Sequence, residues 1–127
     1  MDILLDTHAV WWLLNGSEKM PDTVKKTILN PENTVYVSIA TIWETAIKMS
    51  IGKLSFDGGI DGFIKAIENE DFLLLGITPK HIKVVKDLPF VHRDPFDRML
   101  VAQAIVEGLP IITTDLNIAK YDVKPIW

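Results

Sequence analysis

The stretch Asp94-Pro95-Phe96-Asp97-Arg98-Met99-Leu100-Val101-Ala102-Gln103-Ala104-Ile105-Val106-Glu107-Gly108-Leu109-Pro110-Ile111-Ile112-Thr113-Thr114-Asp115 decides the fold. Asp94 is a helix cap and Pro95 suits the first helical position, where a missing N–H costs nothing. The residues from Met99 to Val106 fill a helix, and Gly108 closes it. Pro110 to Thr114 then reads as a short buried strand that ends at an acid, Asp115. A capped helix followed by a short apolar strand is the repeating unit of a parallel α/β sheet.

The same grammar holds back to the N-terminus. Residues 2–6 read as a buried strand, followed by a helix from Asp6-Thr7 to Asn15-Gly16. A helix opens at Pro21 and stops at Asn30-Pro31; Val35-Tyr36-Val37 is the second strand. Ser38 and Thr41 are both candidate caps for a helix running to about Gly52, and Thr41-x-x-Glu44 has the form of a capping box. A helix carrying Ile60, Phe63, Ile64 and Ile67 leads to a third strand at 72–75. Thr78-Pro79 opens another helix that ends by Leu88-Pro89, residues 90–93 form a loop, and Val123–Trp127 offers a fifth strand. The expected fold is α/β, a three-layer α/β/α sandwich around a mostly parallel sheet of four to five strands, in one domain spanning 1–127.

Composition narrows the function. The chain has 127 residues, 48% of them hydrophobic, and no cysteine, which excludes disulfides, thiolate zinc sites and cysteine nucleophiles. No apolar run approaches the ~18 residues of a membrane span, and the N-terminus lacks a basic region or cleavage site. The expected location is therefore the cytoplasm. Net charge is −4, against a broad basic surface for duplex binding. Removing four carboxylates would leave 13 acidic residues against 13 basic ones, so an acidic excess concentrated in one site is compatible with an otherwise neutral surface.

Four acids stand where an α/β fold gathers ligands, at strand carboxyl ends and helix amino ends: Asp6, Glu44, Asp97 and Asp115. Each also has a local reading. Asp6 is a helix cap, Glu44 and Asp97 are capping-box acids, and Asp115 is a turn residue. Together on one edge they would repel each other, which folding does not reward. Magnesium or manganese takes such oxygen ligands, and the expectation is a metal-dependent nuclease. Arg93 and Arg98 have two readings, phosphate contact or pairing with local acids. Trp43 reads as core. The histidines, His8, His81 and His92, show no helical i, i+4 pairing for zinc, and His8 alone stands beside a candidate acid, as a structural or supporting residue. Phosphate-binding glycine loops and a Gly-x-Ser-x-Gly elbow are absent.

The matching text is Leu4-Leu5-Asp6-Thr7-His8-Ala9, Ser38 through Lys48, His92 through Ala104, Thr113-Thr114-Asp115 and the closing Tyr121–Trp127. Taken in that order, it resembles the PIN-domain ribonucleases, specifically the VapC-type toxins of toxin–antitoxin modules. The resemblance implies an acidic pocket for Mg2+ or Mn2+ and endonucleolytic cleavage of RNA with water as nucleophile. It places the family acids on Asp6, Glu44, Asp97 and Asp115, with Thr113 as the supporting hydroxyl and Asp94 left as a cap. Asp6 and Asp97 would ligate the ion, Asp115 would complete the cluster, Glu44 would orient or deprotonate the water, and Arg98 would assist at phosphorus. It further implies a cognate antitoxin and a homodimer, with residues 50–90 setting substrate choice and partner contacts. For Trp11-Trp12 and Met49-Ser50-Ile51 core packing is the expected job of most, with a contact surface as the alternative. The competing readings are a catalytically inactive binding module on the same fold and a metal-dependent phosphotransfer domain. A phosphatase of the Asp-x-Asp type fails because position 8 is His.

Overall fold

A computed structural model describes all residues, Met1–Trp127. The elements in chain order are β1 (Asp2–Leu5), α1 (Thr7–Leu14), α2 (Asp22–Leu29), β2 (Thr34–Ser38), α3 (Ile39–Ser50), α4 (Gly59–Asn69) and β3 (Leu73–Leu75). They continue with α5 (Pro79–Asp87), α6 (Pro95–Glu107), β4 (Ile111–Ile112), a 3-10 turn at Ile118–Lys120 and β5 (Pro125–Ile126). The five strands form one sheet in the order β3-β2-β1-β4-β5, and every pairing is parallel.

Strand alternation builds the layers. Ile3 and Leu5 face a core shared with α1, α2 and α4 (Val10, Val24, Ile28, Phe63, Ile67). Leu4, between them, faces the opposite core with Leu100, Val101, Ala104, Ile111 and Ile118. All three residues of the apolar run are fully buried, each contributing about 2 kcal/mol. The central strand is thus apolar on both faces, as a parallel sheet covered by helices requires.

The sheet grows outward from β1 in one direction through β2 and β3, then returns to the other side of β1 with β4. That reversal places a crevice at the carboxyl ends of β1 and β4, where open α/β sheets bind ligands. Leu4 pairs with Ile111 and Leu5 with Ile112, so the residues after these strands sit side by side.

Two expectations need correction, for Trp43 and for the cap of α3, while Trp11 follows its expected packing. Trp43 is 59% exposed, packed edge-on against Phe96 at 5.0 Å, and is not core. Trp11, by contrast, is buried and donates from Nε1 to Thr45 Oγ1 at 2.9 Å, so it belongs to the core and not to a contact surface. The Thr41–Glu44 capping box does not form. Ser38 caps α3, accepting from the Ala40 N–H at 3.0 Å, while the Thr41 hydroxyl meets the Thr7 hydroxyl at 3.0 Å.

Candidate functional site

Each acid reaches the crevice through a different element. Asp6 follows β1 and caps α1, its Oδ1 accepting the Ala9 N–H at 2.8 Å. It is buried, and burial raises its pKa despite hydrogen bonds from Thr113 and Ala9. Glu44 sits in the second turn of α3. The Thr7–Thr41 and Trp11–Thr45 bonds pin α3 across α1, which brings Glu44 to the same edge. Glu44 lies 3.5 Å from Lys48 through Oε2, while its Oε1 is buried with no partner. Burial, then the negative charge of Asp94, raises its pKa against the pull of Lys48.

Asp97 is released from capping because Asp94 performs it. Asp94 Oδ1 accepts the N–H of Phe96 at 2.8 Å and of Asp97 at 3.0 Å. The Asp97 pKa is pushed up to about 7 by burial first, then by Asp94 and by Glu44 and Asp6. Asp115 behaves oppositely. Burial raises its pKa, but the His92 hydrogen bond and the amides of Asn117 (2.8 Å) and Ile118 (3.2 Å) outweigh that, and the pKa falls. Thr113 supports the pair, its hydroxyl accepting the Asp115 N–H at 2.9 Å and hydrogen-bonding Asp6.

The structure therefore brings all four sequence-chosen acids to one edge. One ligand atom each of Glu44, Asp94 and Asp97 lies within 4.8 Å of the others, and the same holds for His92, Asp97 and Asp115. Asp6 joins them electrostatically, sensing Asp115 and being sensed by Asp97. The donor set suits a divalent cation. It is built mainly of carboxylate oxygens, as Mg2+ and Mn2+ prefer, and Glu44 Oε1 is buried without a hydrogen bond. A cavity of about 370 Å³ lies at the opposite edge, beside Thr34, Val35 and Phe72, and holds none of the four acids.

Two residues differ from expectation. Arg98 is buried and does not face the crevice. It donates to the carbonyls of Pro89 (3.0 Å), Val85 (3.1 Å), Leu88 (3.2 Å) and His92 (3.4 Å) and to the Tyr121 hydroxyl (3.3 Å). Both terminal nitrogens of the guanidinium are thus held by the frame of the loop. His92, not the exposed His8, is the histidine at the heart of the cluster. Its Nε2 lies 2.9 Å from Asp115 Oδ2 and 3.1 Å from Asp97 Oδ2. The available signal was the density of charge in His92-Arg93-Asp94-Pro95-Phe96-Asp97-Arg98, too high for a plain loop-to-helix junction.

The PIN domain family model matches residues 3–124. The chain belongs to the PIN domain family. Among solved structures, this PIN domain is similar to a chain in the structure of VapBC2 from Rickettsia felis bound to a DNA fragment from their promoter. The TM-score is 0.74 at 14% identity, covering 99% of this chain and 98% of that one. It is also similar to PAE2754 from Pyrobaculum aerophilum, with TM-score 0.64 and 19% identity over 98% of this chain and 83% of that one. At such identities the likeness is one of fold. No curated protein sequence matches the chain. No helix of this PIN domain is long and apolar enough to cross a membrane.

Proposed function

We propose that this PIN domain, acting as one nuclease domain over residues 1–127, is a Mg2+- or Mn2+-dependent endoribonuclease. We assign it as the toxin of a type II toxin–antitoxin pair in the cytoplasm. The observation that carries this reading is the convergence of Asp6, Glu44, Asp97 and Asp115, three of them with raised pKa, on the crevice where the sheet reverses. A fold gains nothing from burying acids in mutual repulsion, whereas a cation site needs them.

A bound Mg2+ or Mn2+ supplies polarisation of the scissile phosphate and lowers the pKa of a bound water. The residues that would hold it are Asp6 and Asp97, with Asp115 completing the set. Glu44 presents Oε1 as the unengaged acceptor for the proton of the attacking water. Thr113 orients Asp6 and Asp115 through its hydroxyl. Arg98 serves the frame and not the phosphate, its two terminal nitrogens being held by backbone carbonyls and the Tyr121 hydroxyl.

The likeness in fold to a chain of a VapBC complex supports an antitoxin as the partner. So does the stripe Ile39, Trp43, Ile47 and Ile51, which leaves apolar surface exposed along α3. The same stripe is available to a second copy in a homodimer.

The test is cleavage of a mixed RNA panel by antitoxin-free protein with Mg2+, with Mn2+ and with chelator. The control is Asp6→Asn, whose amide oxygen still caps α1 while the charge is lost. Metal-dependent cleavage that disappears in the variant supports the reading. Folded wild-type protein that neither cuts RNA nor binds Mn2+ sinks it and leaves an inactive binding module.

A further inference from the structure

His92 is fixed at its backbone and at both ring nitrogens. Its N–H donates to the Tyr121 hydroxyl at 2.8 Å, and its carbonyl accepts from Arg98 at 3.4 Å. Ring Nδ1 receives the Asp94 N–H at 3.1 Å. A backbone N–H only donates, so Nδ1 is an acceptor and carries no proton. The ring proton is on Nε2, which faces Asp115 Oδ2 at 2.9 Å and Asp97 Oδ2 at 3.1 Å. In this tautomer Nε2 has no free lone pair, so the ring is not a metal ligand. What it does is hydrogen-bond Asp115 through that N–H while Asp97 Oδ2 rests at contact distance from the same nitrogen.

We propose that His92 is a positioning residue of the acidic cluster: its Nε2–H, set by the Asp94 N–H, fixes the spacing of Asp97 and Asp115 and thereby the affinity of the site for a divalent cation. This deepens the nuclease reading, but the tautomer and the cation affinity are both measurable without RNA. Side-chain reach separates positioning from loop structure. Glutamine carries its amide nitrogen to about the position of Nε2 and keeps a donor there. Asparagine offers an acceptor near the position of Nδ1, able to keep the Asp94 contact, but stops short of the carboxylates. If His92 served only to fold the loop before α6, His92→Asn would be the better replacement.

The experiment uses the full chain labelled with 15N. Long-range 1H–15N correlations in metal-free protein are expected to show the His92 proton on Nε2 with Nδ1 bare. Mn2+ titration, read by the loss of the free-ion EPR signal, then compares wild type, His92→Gln and His92→Asn, with urea unfolding establishing that each is folded. His92→Asn is expected to weaken Mn2+ binding about 10-fold or more, the usual cost of losing a partner behind a metal ligand. His92→Gln is expected to stay within about threefold of wild type, because the donor to the ligands is retained. A proton on Nδ1, or on both nitrogens, overturns the proposal, as does equal affinity in all three proteins or a glutamine variant as weak as the asparagine one. Wild type that binds no Mn2+ overturns this proposal and the nuclease reading together. The expected tautomer and ranking without RNA cleavage would leave His92 in its role and remove only the nuclease.

Discussion

Asp97 and Asp115 share one histidine nitrogen, at 3.1 and 2.9 Å, yet their pKa values move in opposite directions. Asp115 ends a strand and closes a turn whose two amides point at its Oδ1. Asp97 lies in the first turn of a helix, where Asp94 has already taken the amides of Phe96 and Asp97. It faces Asp94, Glu44 and Asp6 with no backbone donor of its own. The difference teaches that burial among like charges makes Asp97 a poor carboxylate, while a shallower place, a histidine hydrogen bond and two turn amides make Asp115 a settled one.

The strongest way to break the comparison is to neutralise each acid in turn. Asp97→Asn is expected to cut RNA cleavage by more than about 100-fold, beyond the 10- to 100-fold typical of residues behind the ligands. At pH 8 the same variant is expected to gain at least about 1 kcal/mol in the metal-free state, an increase of roughly 4 °C in Tm. Asp115→Asn should lose cleavage as well but bring no such gain. Cleavage assays and urea unfolding at pH 8 report both signs.

Next in size is the frame on which both acids hang. Arg98→Lys is expected to cost about 2 kcal/mol, since an ammonium cannot reach four carbonyls and a phenol spread along the loop. Chemical unfolding measures it.

The pH response sharpens the contrast. Asp97 titrates near 7 folded and near 3.8 unfolded, so between those values the folded protein binds more protons. Stability then falls as pH rises through that window, by roughly 1 kcal/mol from pH 5 to pH 8 after allowance for partial exposure. Asp115 has the opposite sign, its stabilisation being lost only as pH drops below the ordinary carboxylate range. Urea midpoints across pH 3–8 resolve the two limbs, and saturating Mn2+ should flatten the upper one.

The smallest change is Asp94→Asn, which keeps the capping oxygen and removes the second-largest cause of the Asp97 shift. The expected result is a lower Asp97 pKa and a gain of a few tenths of a kcal/mol in metal-free stability at pH 8. NMR titration of the Asp97 carboxyl checks it.

Much of this was legible in the chain because capping and strand alternation are local. Asp94-Pro95 and Gly108 mark α6 to the residue, and the run Ile3-Leu4-Leu5 marks the central strand. The four acids were legible by position at element junctions. What escaped depends on contacts distant in sequence. His92 belongs to the cluster only because Asp115 arrives from beyond β4, and Arg98 turns inward because α5 ends with its carbonyls toward it. Trp43 resembles a core residue by composition, but Ala40 and Thr41 turn the buried face of α3 elsewhere. The 3-10 turn at Ile118–Lys120 and the brevity of β4 carry no sequence signal of comparable strength.

The central strand is made first and completed late. β1 pairs with β2 early in the chain, but its other edge waits for Ile111 and Ile112. While the ribosome is still adding α6, Leu4 lacks its cover and Asp6 lacks both Asp97 and Asp115. Folding must therefore close a loop nearly the length of the chain, a slow step by its topology, and an unpaired apolar edge stays open to aggregation or to a chaperone until it does. The same delay has a protective side: a chain still being translated cannot assemble its acidic crevice before β4 emerges.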